Sequence, residues 1–147
     1  MNNFNFWQKW LLFVGIYLMV FGLYLSFFAQ SSIMDFLLNS NIDPYFWGKT
    51  ELPESAMNFQ GWIYGVLGAT IAGWGTMIAF WAYYPFKTRE PWAWSGLALA
   101  TAIWFIADTA ISAIYGVTFN MLFNTILLFL LVTPLVFTRK YFVKLKT

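Results

Sequence analysis

Neither cysteine nor histidine occurs in the chain, and charged side chains make up only 10% of its 147 residues. Without cysteine there is no disulfide, no thiolate nucleophile and no thiolate metal site, and the redox compartment is left undefined. Without histidine the commonest metal ligand and the usual proton shuttle near neutral pH are missing as well. Soluble domains carry about 25% charged residues. A chain that is 10% charged, 61% hydrophobic and 23% aromatic has too little polar surface to clothe itself in water. Its net charge of +2 is too small to call for a nucleic-acid partner.

What the chain has in abundance is apolar sequence in long runs. Four stretches, at about 7–29, 59–84, 92–117 and 119–137, each meet the requirement of roughly 20 residues for a hydrocarbon core about 30 Å thick. As helices they satisfy their own backbones, which lipid demands. The expected fold is all-α: an integral-membrane, up-down four-helix bundle forming a single transmembrane domain over 1–147. A long outer loop, 30–58, carries a short interfacial helix, and 138–147 is a tail.

Charge sets the expected orientation. Lys9, Lys87, Arg89, Arg139, Lys140, Lys144 and Lys146 fall on one side. Lys49 alone falls on the other, beside Asp35, Asp43, Glu51 and Glu54. Excess Lys and Arg marks the cytoplasmic side, so both termini are expected in the cytoplasm, in a multi-pass protein of the cell (inner or plasma) membrane. Trp7, Trp10, Trp81, Tyr83, Tyr84, Trp92, Trp94, Tyr141 and Phe142 suit an inner aromatic belt, and Tyr45, Phe46, Trp47 and Trp62 an outer one. The first run also has the outline of a signal peptide, with Lys9 ahead of it and Ala29-Gln30-Ser31 after it. Its length from Leu11 to Phe28 exceeds the usual stretch of about 7–15 residues, which favours a retained anchor.

In the outer loop, Ser32-Ile33-Met34-Asp35 has the form of a capping box ahead of Phe36, Leu37 and Leu38. Asn41 and Asp43-Pro44 read as a turn, and Pro53-Glu54 as the start of the second span. The segment is either a plain connector or a lid over the outer mouth. The second span carries Gly61, Gly65, Gly68, Ala72, Gly75 and Ala79 at helical spacing, a stripe that lets another backbone approach closely. It is expected to face the first and third spans, with Gly15 and Gly22 as a matching surface. The same stripe would also suit a homodimer.

One acid lies inside the third run. An ionised Asp108 at that depth costs roughly 2.5–3.5 kcal/mol on insertion scales, and no Lys, Arg or His stands at intramembrane depth to neutralise it, Lys9 marking only the start of the first span. Thr101, Trp104, Asp108, Ser112 and Tyr115 share one helix face. Asn120 and Asn124 lie one turn apart on the next span. At 1.5 Å per residue Asp108 lies about 12 Å, and Asn124 about 9 Å, below the outer end. The short turn makes these spans antiparallel neighbours, so the polar groups are expected to meet in the outer half, with Trp104 as a floor. Gln60, Tyr64, Tyr24 and Gln30 approach the same level. The cluster is either interhelical glue or the lining of a cavity.

Enzyme chemistry finds little support. Intramembrane proteolysis by paired aspartates needs a second buried acid. Ser112 has no nearby base to activate it, and one carboxylate with amides is a poor metal site. Small multidrug transporters share the four-span length but carry their essential acid in the first helix, where this chain has none. In size alone the chain resembles small four-helix bacterial membrane proteins of the DoxX-like kind. The reading is a non-enzymatic protein binding a small or lipidic ligand in an outward pocket formed by Asp108, Ser112, Asn120, Asn124, Trp104, Tyr64 and Gln60. The alternatives are an accessory subunit of a membrane complex and a proton- or cation-coupled transporter. No cofactor and no metal are expected. The expected partners are the lipid bilayer and a membrane protein or second copy docked on the second span.

Overall fold

The computed structural model describes residues 3–48 and 52–142. Lys49, Glu51, Lys144 and Lys146, which entered the charge count, lie outside the described residues. The elements are α1 (Asn3–Phe28), α2 (Ser32–Met34), a π-turn (Asp35–Asn39), α3 (Ser40–Trp47), α4 (Glu54–Tyr83), α5 (Pro91–Ile114), α6 (Thr118–Thr138) and a closing 3₁₀ turn (Arg139–Tyr141). No strand occurs among the described residues. Four helices, α1, α4, α5 and α6 with its closing turn, are long and apolar enough to cross a membrane.

The ends of these helices differ from the expected ones for local reasons. α1 begins four residues before the expected 7, because its first turns have partners. Phe4 is buried, and the Gln8 side chain donates to the Ala82 carbonyl at 2.9 Å. That carbonyl is free because the Phe86 amide turns instead to Trp81 O at 3.0 Å at the end of α4. α4 begins at Glu54, ahead of the apolar run at 59, where Pro53-Glu54 was expected to lead into the second span, with an acid at the positive end of the helix. α5 starts on Pro91, whose missing amide costs nothing there. It stops at Ile114, short of 117. Gly116 adopts φ 70°, and the Val117 amide closes back on Ser112 O at 2.8 Å.

The outer segment is more helical than expected. Ser31, not Ser32, caps α2, its hydroxyl accepting from the Met34 amide at 3.4 Å. Asn41 and Asp43-Pro44 do not form a turn; they lie inside α3, which Gly48 ends at φ 67°. Local turn preference yields to tertiary contacts from the same residues: Gln60 Nε2 donates to Asp43 Oδ1 at 2.5 Å, and Tyr45 pairs with the Thr118 hydroxyl at 2.5 Å. Phe36, Leu37, Tyr45, Phe46 and Trp47 are exposed, the pattern of a helix lying in a membrane interface.

α1 lies against α4 in opposite sense, Gly15 beside Gly75 and Ala79, and Gly22 beside Gly68 and Ala72. A Cβ added at Gly15 would sit 2.5 Å from the Ala79 nitrogen, so backbone touches backbone. The small stripe is therefore occupied by α1 of the same chain. Its expected second neighbour is corrected: α4 meets α5 through aromatic side chains, with Trp81 Nε1 donating to Ala93 O at 2.9 Å and Trp74 against Trp104 at 5.1 Å between centroids. Bulky indoles hold those two backbones apart. α5 lies on α6 through Trp94 Nε1, which donates to Leu135 O at 2.8 Å. α6 lies on α1 through Trp10 Nε1, which donates to Leu130 O at 3.0 Å. That carbonyl needs a donor because Pro134, one turn later, has no amide to give.

Candidate functional site

Asp108 sits where α5 and α6 converge toward their connecting turn. The turn is tight, so residues one helical step apart on α6 face the carboxylate. Asn120 Nδ2 donates to Asp108 Oδ1 at 2.7 Å and Asn124 Nδ2 donates to the same oxygen at 2.8 Å. Ser112 Oγ donates to the Asp108 carbonyl at 2.8 Å, with a longer contact to Oδ1 at 3.4 Å. Asn120 Nδ2 also reaches Ser112 Oγ at 2.7 Å. The two amides converge on Oδ1. Oδ2 receives no hydrogen bond from any described residue.

The carboxylate is only partly buried, and it lines a cavity of about 190 Å³ walled by all four long helices. α1 contributes Leu18 and Phe21, and α4 contributes Leu67, Thr70, Ile71 and Trp74. Trp104 and Asp108 come from α5, and Asn120, Phe123, Asn124 and Leu127 from α6. Apart from Thr70 on its far side, the cavity has one polar pole, at Asp108 and the two amides. Trp104, tilted against Trp74 with centroids 5.1 Å apart, lies one turn further in. An engineered apolar cavity of about 150 Å³ takes up benzene, so this space suits an occupant of one ring or a short chain.

Two expected members of the pocket, Gln60 and Tyr64, stand elsewhere, as does Tyr115, which was expected only on the Asp108 face of the third span. Gln60 is spent on Asp43 beneath the outer helical segment. Tyr64 packs with Leu25 and Met34 rather than near Asp108. Tyr115 is exposed, its ring 6.3 Å from Phe46. Gln60 and Tyr64 turn toward α1 and the outer segment because the glycine stripe turns that face of α4 inward. Tyr24 and Gln30 are likewise engaged locally, with Ser31 Oγ at 3.3 Å and Met57 O at 2.9 Å. Thr101 is fully buried and its hydroxyl has no partner, so it belongs to the packed core rather than to the cavity.

The structure adds residues to the site. Thr109 Oγ1 accepts a second contact from Asn124 Nδ2 at 3.3 Å. Trp74 and Thr70 bring α4 into the wall. Nothing in spacing alone separates Trp74 from an interfacial anchor; only its pairing with Trp104 does. Above the cavity, α3 crosses from α4 to the α5–α6 turn, tied by Asp43 to Gln60, Tyr45 to Thr118 and Phe46 to Tyr115. Burial pushes the Asp43 carboxyl above the ordinary carboxylate range; the hydrogen bond from Gln60 opposes this and the Asp35 charge adds to it. No group of three or more metal-binding side chains occurs among the described residues. Comparison with protein-family models, with curated proteins and with solved structures finds no match.

Proposed function

We propose that the protein is a non-enzymatic, multi-pass protein of the cell membrane that binds a small amphipathic ligand at Asp108. In this reading the four long helices form an up-down membrane bundle, both termini are cytoplasmic, and α2 to α3 lie across its outer end. The observation that carries the reading is the divided carboxylate. Oδ1 is saturated by amides, while Oδ2 has no partner among the described residues and its residue lines a largely apolar cavity. Polar glue between membrane helices contributes about 0.6 kcal/mol per bond on average, a poor return for burying an acid when Asn would serve. A free carboxylate oxygen beside apolar walls suits a hydrogen-bond donor on an apolar body, above all a protonated amine. Against transport stands the inner half, where Leu11, Leu18, Ile78, Leu97 and Leu131 are all buried in one apolar cluster.

Benzylamine tests the reading, because it combines one ammonium with one ring. In non-ionic detergent it is expected to raise the melting temperature of the wild-type protein with saturable dependence, as ligand binding to the folded state requires. Asp108→Asn keeps the shape and the amide contacts but removes the charge, and its melting temperature should not respond. An equal response from Asp108→Asn, or none from wild type, sinks the proposal.

A further inference from the structure

A second hollow, of about 250 Å³, lies past the aromatic floor of the Asp108 cavity, further inward between α4 and α5, and shares one wall residue with it, Trp74. The walls of that hollow include Met77, Ile78 and Trp81 on one side and Gly96 and Ala100 on the other. Gly96 gives it depth: a Cβ there would stand 3.0 Å from the Trp81 ring. At 1.5 Å rise, Ala100 and Gly96 lie roughly 12–18 Å inward of Asp108 along α5. A polar head site and an apolar hollow are thus laid end to end.

Access to this pair of spaces is from the side. Over the outer end, α3 is tied down at Gln60, Thr118 and Tyr115. Between α4 and α5 the recorded ties are Trp81 with Ala93 and Trp92, and Trp74 with Trp104. Among the described residues no hydrogen bond or ring contact joins these helices on the outer side of the Trp74–Trp104 pair. Leu67 and Thr70 on α4 are exposed on that side and also line the cavity.

We infer that the ligand of this site is a single-chain amphiphile with a protonated amine head, taken from the bilayer through the gap between α4 and α5. The inference rests on the proposed binding role of Asp108. The ammonium donates to Oδ2, and the chain runs past Trp74 into the hollow over Gly96. Charge complementarity selects the head, since among the described residues no Lys or Arg pairs with the carboxylate. The chain gains little free energy on leaving lipid tails for an equally apolar groove. Its position, rather than its affinity, is therefore the informative readout.

The test places the full chain in phosphatidylcholine vesicles with decylamine carrying a photoreactive diazirine at its far end. Irradiation is expected to label the stretches 74–81 and 96–100, and excess unlabelled decylamine should suppress the label severalfold. Asp108→Asn should suppress it likewise. Ala100→Phe fills the hollow without touching the carboxylate, so it should lose the label while benzylamine still raises its melting temperature. Label that falls elsewhere, or resists competition, while benzylamine still stabilises the wild type overturns the inference and leaves the pocket intact. Absence of both effects overturns the two together.

Discussion

At the scale of single residues, the chemistry depends on how one carboxylate divides its hydrogen bonds. Asn124 is 2% exposed and donates to Asp108 Oδ1 at 2.8 Å, so no water replaces its amide if it is removed. Asn124→Ala leaves Asn120 as the one amide donor to the partly buried Oδ1 among the described residues, which costs on the order of 1 kcal/mol. In an Asp108→Asn background the same truncation should cost less, with a coupling of about 0.5–3 kcal/mol between contacting sites. Unfolding of the four variants in a double-mutant cycle measures this; equal losses in both backgrounds would show the pair to be uncoupled. The meeting of Asp108, Ser112, Asn120 and Asn124 was legible in the sequence because a short turn and spacings of four leave little freedom. The choice of Oδ1 over Oδ2 was not, because it depends on side-chain torsions that spacing does not encode.

At the scale of elements, two contacts decide how the helices sit. Gly73 and Gly75 are neighbours on α4 with opposite surroundings. A Cβ at Gly73 meets nothing within 4 Å, whereas one at Gly75 would come within 2.7 Å of Gly15 O. Gly73→Ala should therefore hold or slightly raise stability, since Ala is better than Gly in a helix by about 1 kcal/mol. Gly75→Ala must push α1 away and should lose about 1–3 kcal/mol, as overpacking does. Comparing the two melting temperatures tests the interface, and equal effects would refute it. This contact was readable from small residues on both helices. The outer segment was not: Asn, Asp and Pro signal a turn locally, and only Gln60 and Thr118, distant in sequence, hold them in a helix. That segment should also respond to pH. A raised pKa means that folded Asp43 holds its proton more tightly than the unfolded chain does. Its ionisation therefore weakens the fold as pH rises through that range, and acidification restores it. Asp43→Asn keeps an acceptor for Gln60 without the charge. Its amides over 32–47 should exchange more slowly than wild type at neutral pH, the two converging on acidification. A wild-type segment that loosens on mild acidification would reverse the sign.

At the scale of the whole molecule, the two ends differ in charge as well as shape. At one end Arg89 lies over the Phe4 and Tyr141 rings at 4.6 and 5.4 Å, and Arg139 over Trp94 at 5.8 Å. Lys87 and Lys140 pair similarly with Tyr83 and Tyr141. At the other end stand Asp35, Asp43 and the outer helical segment. The number and length of the spans could be read from hydropathy, and the gathering of cations from their positions beside span ends. How α4 meets α5 could not, because the indoles that join them, Trp74 with Trp104 and Trp81 with Ala93, read in sequence as interfacial or packing residues alike. The cation-rich end should lie in the cytoplasm if the bias of Lys and Arg governs insertion, and the absence of cysteine makes that directly measurable. Ser40 and Thr88 are both exposed, Ser40 on α3 and Thr88 between α4 and α5. In intact cells a membrane-impermeant maleimide should label Ser40→Cys and leave Thr88→Cys untouched until the membrane is opened. The reverse pattern would put Asp108 in the cytoplasmic half of the membrane and place the ligand in the inner leaflet instead of the outer one.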